Sequence, residues 1–340
     1  MPSTGVTAAA PGKIILSGEH AVVSDAPALV TAVARNVTAT VTPIDEPAVE
    51  IRTGDTSQRL DIPKETDSVR RQTWARYDAF TDDRLQIQDV LRHPLDLIAV
   101  CWVLVHGRLG EESPIGVRIE IQTDLPVGSG MGSSAAATVA VTAALMTLHN
   151  RPLDLESISD LSFVAERFQH GRPSGVDSFV STHGGCVRYR KDGAPEPVAL
   201  PHFSLWLADT GMPESTTGEC VSEVQRRFGT SGIWAAFDSV CGEIERALCG
   251  ENGDALRVGI RRNHALLREI GVVPDRVDEF VRDVESAGGA AKVCGAGAIR
   301  GAGAGVVWIQ SESPPGDLCR ACGYELFEVE TQRDGVRIIQ

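Results

Sequence analysis

Residues 126–137 read Pro-Val-Gly-Ser-Gly-Met-Gly-Ser-Ser-Ala-Ala-Ala. Three glycines and three serines fall within residues 128–134, and an alanine-rich apolar run follows to about His149. Glycine–serine mixtures ordinarily make flexible linkers, yet both flanks of this one are patterned. Before it, residues 116–125 (GVRIEIQTDL) alternate, with Val117, Ile119 and Ile121 on one face, which is the period of a strand. After it, the apolar run predicts a helix. A helix N-terminus presents unpaired N–H groups and the positive end of the helix dipole. Glycines at such a junction let the backbone close on an anion. Pro126, Gly128, Ser129, Gly130, Met131, Gly132, Ser133 and Ser134 are therefore candidate phosphate-binding residues; a plain connecting turn is the alternative. No lysine follows Gly132, so the P-loop pattern is not matched and the cation must come from elsewhere.

The chain has 340 residues, 42% of them hydrophobic, enough to bury a substantial core and to suggest two domains. Its net charge is −14, with a pI near 5.0. That balance argues against nucleic acid or an anionic membrane as the main partner, while leaving room for a locally basic pocket. The first twenty residues lack the basic start and long apolar core of a signal peptide, and no apolar run approaches a membrane span. A cytoplasmic protein is the expectation. The eight cysteines are scattered, with a single C-x-x-C at Cys319 and Cys322, and read as reduced thiols rather than a zinc site.

Working outward from the loop, KIILSGEHAVV (13–23) and ALVTAVARNVTATVTPI (28–44) have the β-branched richness of strands joined by a turn. Residues 54–90 read as a charged, irregular surface insertion with some helix, and 94–108 as an apolar helix starting at a proline. Leu155, Ile158, Leu161 and Val164 fall at helical spacing in a segment that stops at Gly171. Residues 178–200 look like strands joined by a Lys191-Asp192-Gly193 turn. From about 203 the pattern restarts: a buried strand, helices near 217–228 and 232–271, and a further helix after 275. A strand–glycine turn–strand follows over 290–309, and a closing strand pair lies near 324–338. The boundary is placed near 200, giving units 1–200 and 201–340.

Two more stretches carry chemistry. In APGKIILSGEH (10–20), Lys13 precedes an apolar strand and is followed by Glu19 and His20; a cleft-edge cation or a snorkelling strand-edge lysine both fit. In AERFQHGRPSGVDSFVSTHGG (165–185), Glu166 lies in a helix and Asp177 follows a Gly-Arg-Pro-Ser-Gly turn. The turn folds the chain between them, so both carboxylates can face one site. Phosphoryl transfer uses such a pair, one to hold Mg²⁺ and one to orient or deprotonate an attacking hydroxyl. A surface glutamate and a turn-stabilising aspartate are the alternative.

Taken together, PGKIILSGEHAVV, PVGSGMGSSAAA and HGRPSGVDSFVSTHGG resemble, in order and spacing, the signatures of the GHMP kinase superfamily, and within it most closely the mevalonate kinase family. The resemblance is strong to about residue 185 and weaker beyond. It implies an α+β fold of two domains, the first like domain 2 of ribosomal protein S5 and the second ferredoxin-like, with the active site between them. It implies ATP over the glycine loop, Mg²⁺ as cofactor, mevalonate as acceptor, and an enzyme that is often a homodimer. By the same resemblance Asp177 matches the catalytic aspartate and Lys13 the lysine near the reacting hydroxyl and γ-phosphate. Glu166 matches a Mg²⁺ carboxylate, and Ser133 or Ser134, with Ser134 favoured, the other Mg²⁺ ligand. Glu19, His20 and Thr216 match substrate-side residues. The third motif departs from the family: instead of a compact glycine run the chain has CGAGAIRGAGAGVVW (294–308), with Ile299 and Arg300 interrupting it. Arg300 either pairs with a carboxylate or phosphate, or is solvated at a hairpin tip. This leaves a kinase for another hydroxy acid, phosphomevalonate or a sugar as the alternative. A non-catalytic member of the fold is a further alternative, against which the intact set Lys13, Glu166 and Asp177 stands.

Overall fold

The first two apolar runs become the longest strands of the molecule. β1 (Val6–Ser17) and β2 (Ala28–Ile44) pair antiparallel from Val6 opposite Val41 to Ser17 opposite Leu29. The computed structural model describes residues 5–110, 115–126, 128–191, 193–201 and 203–339, and among these the chain forms twelve strands and ten helices. β3 (Ala48–Thr53) and β4 (Thr56–Asp61) form a hairpin, and β3 runs parallel to β5 (Gly116–Thr123), which in turn pairs antiparallel with β2. β6 (Cys186–Tyr189) adds to the start of β2, and β7 (Glu196–Val198) adds to β6. β12 (Arg337–Ile338), at the far end of the chain, returns to pair with β1, completing an eight-stranded sheet.

Helices cover this sheet. α1 (Lys64–Thr81) and α2 (Asp96–Leu109) precede β5; α3 (Ser133–Leu148), α4 (Leu155–His170) and α5 (Val176–His183) follow it. α3 lies across β1 and β2 and touches α2, α4 and α5. Ala135, Ala136, Ala140, Ala143 and Ala144 are all wholly buried, so small side chains let this helix sit close to every neighbour. Val117, Ile119 and Ile121 of β5 join the same core, as their alternation predicts.

The second sheet is antiparallel, in the order β11 (Glu325–Glu330), β8 (Ser204–Asp209), β10 (Val306–Gln310), β9 (Ala290–Val293). With it go α6 (Thr217–Phe228), α7 (Ile233–Cys249), α8 (Gly253–Glu269), α9 (Asp275–Ser286) and α10 (Gly316–Cys322). The mixed α+β expectation is met.

Four local expectations are corrected. Ser178–His183 is helix, not strand: α5 starts after Gly175 and stops at Gly184, and packing of Val176 and Val180 overrides the β-propensity of its residues. The helix expected over 232–271 is two helices, because the chain turns at Gly250–Asn252 and the Asn252 side chain caps α8 by accepting from the Ala255 N–H at 3.0 Å. The supposedly irregular insertion opens with the strand β4 before α1 begins. The closing strands do not pair with each other: β11 joins β8 and β12 crosses to β1, with α10 unforeseen. Of the Lys191-Asp192-Gly193 turn, Asp192 lies outside the described residues, while β6 and β7 on either side pair antiparallel.

The α8–α9 contact carries a pH dependence. His264 Nε2 lies 3.2 Å from Asp278 Oδ1, and the same carboxylate receives Arg268 Nε at 2.8 Å and Arg282. Burial drives His264 down to about 4, the Asp278 hydrogen bond notwithstanding, since two guanidiniums already answer that carboxylate. The folded value lies below the ordinary one, so the unfolded chain takes up this proton first. Stability from this group is full above pH 6.5 and is lost as pH falls towards 4. The unfolding free energy from urea titrations should therefore fall further between pH 7 and pH 4.5 for the native chain than for His264→Gln, by about 1–3 kcal/mol. Equal losses would remove His264 as the cause.

Candidate active site

β1 brings Lys13 under the glycine loop. Its backbone N–H donates to Met131 O at 2.9 Å and its ammonium to Gly130 O at 2.9 Å. The ammonium also lies 3.4 Å from Asp177 Oδ2, in the first turn of α5. The Lys13 side chain is 4% exposed and that of Asp177 37%, so the cation is held from below and the carboxylate faces outward. Lys13 is therefore not a snorkelling edge residue. The lysine stem lies flat on Gly132: a Cβ there would stand 3.0 Å from Lys13 Cγ.

Gly128, Gly130 and Gly132 all have left-handed φ, +73°, +83° and +75°, which explains why the loop needs glycine at alternate positions. The helix that follows has neither a side-chain cap nor an acidic residue in its first turn. No side chain of its own first turn therefore offsets the positive end of its dipole. Within the loop, the Ser129 hydroxyl turns in to donate to Pro126 O at 2.7 Å, and Met131 is 1% exposed. The loop thus offers backbone, together with Ser133 and Ser134, rather than the side chains of Ser129 and Met131.

On the other side, the Ser134 hydroxyl donates to Glu166 Oε1, and His170 Nε2 lies 3.4 Å from Glu166 Oε2. Burial works against a charge on His170, but the Glu166 carboxylate prevails and the pKa rises above the ordinary histidine value. Glu166, Ser134, Lys13 and Asp177 therefore meet around one loop. His170 was missed in the sequence, although its i+4 spacing from Glu166 on a helix was a usable signal.

The second sheet closes the site from behind. Val306 N–H donates to Ser129 O at 3.0 Å, and Gly130 lies against Cys294, whose carbonyl would be 3.1 Å from an added Cβ. Gly305 has φ +74°, and a Cβ there would come within 2.4 Å of Ser129 O. Gly305→Ala should accordingly cost about 1–3 kcal/mol in strain and push the two glycine runs apart. Denaturant midpoints would show the loss; an unchanged midpoint would mean the junction yields freely.

The remaining sequence candidates sit differently. Glu19 is not open to the cleft: its side chain is fully buried against Lys292 of β9, and Asn263 Nδ2 donates to its second oxygen at 3.2 Å. Burial opposes the Lys292 charge, but Cys294 and Glu19 beside it more than offset this and hold its pKa above the usual lysine range. His20 is also fully buried, with Nε2 3.0 Å from Ala296 O and Nδ1 without a hydrogen-bond partner among the described residues. Thr216 is exposed and caps α6 in a reciprocal box with Glu219. Arg300 resolves towards a carboxylate: it donates to Glu219 Oε1 at 2.9 Å while remaining 54% exposed, and Ser215 Oγ accepts from the N–H groups of Ile299 and Arg300. The inserted pair thus docks the third glycine run on α6.

A glycine cradle at a helix N-terminus, with a buried lysine and two carboxylates around it, has the chemistry that phosphoryl transfer to a small molecule requires. Comparison with known proteins agrees. Residues 96–185 match the family described as GHMP kinases N terminal domain. The chain is 31% identical to a mevalonate kinase of Archaeoglobus fulgidus, over 97% of this chain and 99% of that one. It is 27% identical to the human mevalonate kinase, over 99% and 96%. Among solved structures, the Methanococcus jannaschii mevalonate kinase superposes with a TM-score of 0.77 at 21% identity, covering 97% and 99%. A Lactococcus lactis galactokinase complexed with galactose shares the fold at 0.74 and 16% identity, covering 98% and 95%. The chain belongs to the mevalonate kinase family of the ATP-dependent GHMP kinases. Among the described residues no helix is long and apolar enough to cross a membrane.

Proposed function

We propose that the protein phosphorylates the C5 hydroxyl of (R)-mevalonate, with ATP as phosphoryl donor and Mg²⁺ as cofactor. The observation that carries this reading is the Lys13–Asp177 pair at the glycine loop, in a chain of this family. Asp177, facing outward, orients the hydroxyl and accepts its proton as the new O–P bond forms and the bond from γ-phosphorus to the β-phosphate oxygen breaks. Lys13, anchored by Gly130 O, keeps its charge beside the transferring group without needing to reorient. The backbone of 128–132 and the start of α3 cradle the phosphates.

Ser134 and Glu166 fit a hard cation. Their oxygens already touch, and Glu166 is 3% exposed, an inner carboxylate beside a hydroxyl. Among the described residues no three His, Cys, Asp or Glu side chains gather as metal ligands. Ser134 and Glu166 would hold such a cation through one hydroxyl and one carboxylate, a hard-oxygen donor pair that suits Mg²⁺. When bound it supplies charge neutralisation on the phosphates. Of the serine pair, Ser134 is the better ligand, because it and not Ser133 reaches Glu166.

The two sheets form the two walls of this site, with the division near residue 200 and residues 331–339 returning to the first wall. Cytoplasmic residence accords with eight free cysteines. An ADP-release assay against mevalonate, phosphomevalonate, homoserine and galactose tests the acceptor. Turnover confined to mevalonate is expected; turnover confined to another acceptor would keep the kinase and overturn the substrate.

A further inference from the structure

Lys292 is wholly buried, and nothing in the phosphoryl-transfer reading uses it. Its ammonium donates to Glu19, to Ile15 O at 3.1 Å and to Cys294 Sγ at 3.6 Å. Glu19 is held at its other oxygen by Asn263 of α8, and Asn263 Oδ1 accepts from Ser17 Oγ at 2.5 Å. The cluster therefore joins β1, β9 and α8. Next to it, His20 bonds Ala296 O, so the turn after β1 is tied both to β9, through Glu19, and to the third glycine run, through His20.

The contacts close into a ring. From Lys292 the chain runs two residues to Cys294, which lies against Gly130. Gly130 O holds the Lys13 ammonium. From Lys13, β1 runs through Ile15 and Ser17 to Glu19, which returns to Lys292. A buried ion pair contributes little net stability compared with an apolar pair of similar volume, because both charges lose their water. It does impose direction: an ammonium with three donors and a defined acceptor at each admits one arrangement of the segments around it.

We propose that Lys292 is a positioning residue: through Glu19, Ile15 and Cys294 it sets β1 against the third glycine run, and so fixes the Gly130 carbonyl that aims Lys13. The claim about phosphoryl transfer rests on the kinase reading above; the claim about loop geometry does not.

The test separates the two. Lys292→Met and Glu19→Gln each leave one buried charge unpaired and should lower the melting temperature. The double variant Glu19→Gln/Lys292→Met removes both charges and should recover most of that loss. If Lys292 only stabilises the fold, the double variant regains everything. If it positions the cradle, amide hydrogen exchange at residues 128–136 and 294–297 stays faster by about ten-fold or more, while exchange in α7 matches the native chain. In the same variant kcat stays lower by roughly 10–100-fold, with the acceptor KM little changed. Native exchange at those amides in the refolded double variant would overturn the proposal, whatever the acceptor proves to be. Should the double variant not fold, Asn263→Ala, which spares the ion pair but frees both the second Glu19 oxygen and the Ser17 hydroxyl, should show the same local exchange to a smaller degree. Its absence there would overturn the proposal equally.

Discussion

Asp177→Asn should lower kcat by roughly 10²–10⁴-fold, the range of a positioned general base. The substitution keeps size and shape, and the amide oxygen can still face the Lys13 ammonium, which lies 3.4 Å from the carboxylate in the native chain. What is lost is the anion that takes the hydroxyl proton. The side effects are small and calculable. Asp177 sits in the first turn of α5, where a negative charge favours the helix dipole by about 0.3–1 kcal/mol, so a slight fall in melting temperature is expected. Nucleotide affinity should stay near native, because the glycine loop is held by Lys13, which the substitution leaves in place. A variant with kcat within a few-fold of native would mean that the proton goes elsewhere and that Asp177 serves only to orient Lys13.

Lys13→Met should lower kcat by roughly 10²–10³-fold, the usual cost of removing one preorganised donor from developing charge. Methionine fills nearly the same volume along Gly132, so the fold should persist. The loop loses one bond, from the ammonium to Gly130 O, while Lys13 N–H to Met131 O is a backbone contact and survives. ATP affinity should consequently fall much less than turnover. Lys13→Arg is the sharper control. It keeps the charge, but its planar fork is longer and cannot set one compact cation between Gly130 O and Asp177 Oδ2 as the ammonium does. It should fail to rescue. If arginine restored turnover, charge alone would matter and the exact placement of the ammonium would not.

Much of this site was legible because its determinants are local. Alternating glycines before an alanine run announce a turn with left-handed backbone and a close-packed helix, and Gly128, Gly130, Gly132 and α3 are that. Lys13, Glu166 and Asp177 were found as residue types in known surroundings, and the fold brings Lys13 to Asp177 and Glu166 to Ser134. What escaped is non-local. Lys292 sits mid-strand in a short apolar run and shows its meaning only through Glu19, 273 residues earlier. The same packing turns Glu19 inward, where a motif alone suggests an open site residue. α5 escaped because Val176, Val180 and Thr182 favour strands in isolation and become helical through burial. Arg300 could be read either as paired or as solvated until α6 brought Glu219 to it from 81 residues away.

The central claim is that the Lys13–Asp177 site transfers phosphate to the primary hydroxyl of mevalonate. The most direct measurement is proton-coupled ³¹P NMR of the product after the purified protein has consumed ATP and Mg²⁺ with (R)-mevalonate. A phosphate at C5 is split by the two methylene protons beside it, whereas one at the tertiary C3 hydroxyl is not. Mevalonate-dependent ADP release and a triplet are expected. No turnover with mevalonate, or an unsplit phosphate ester, would contradict it.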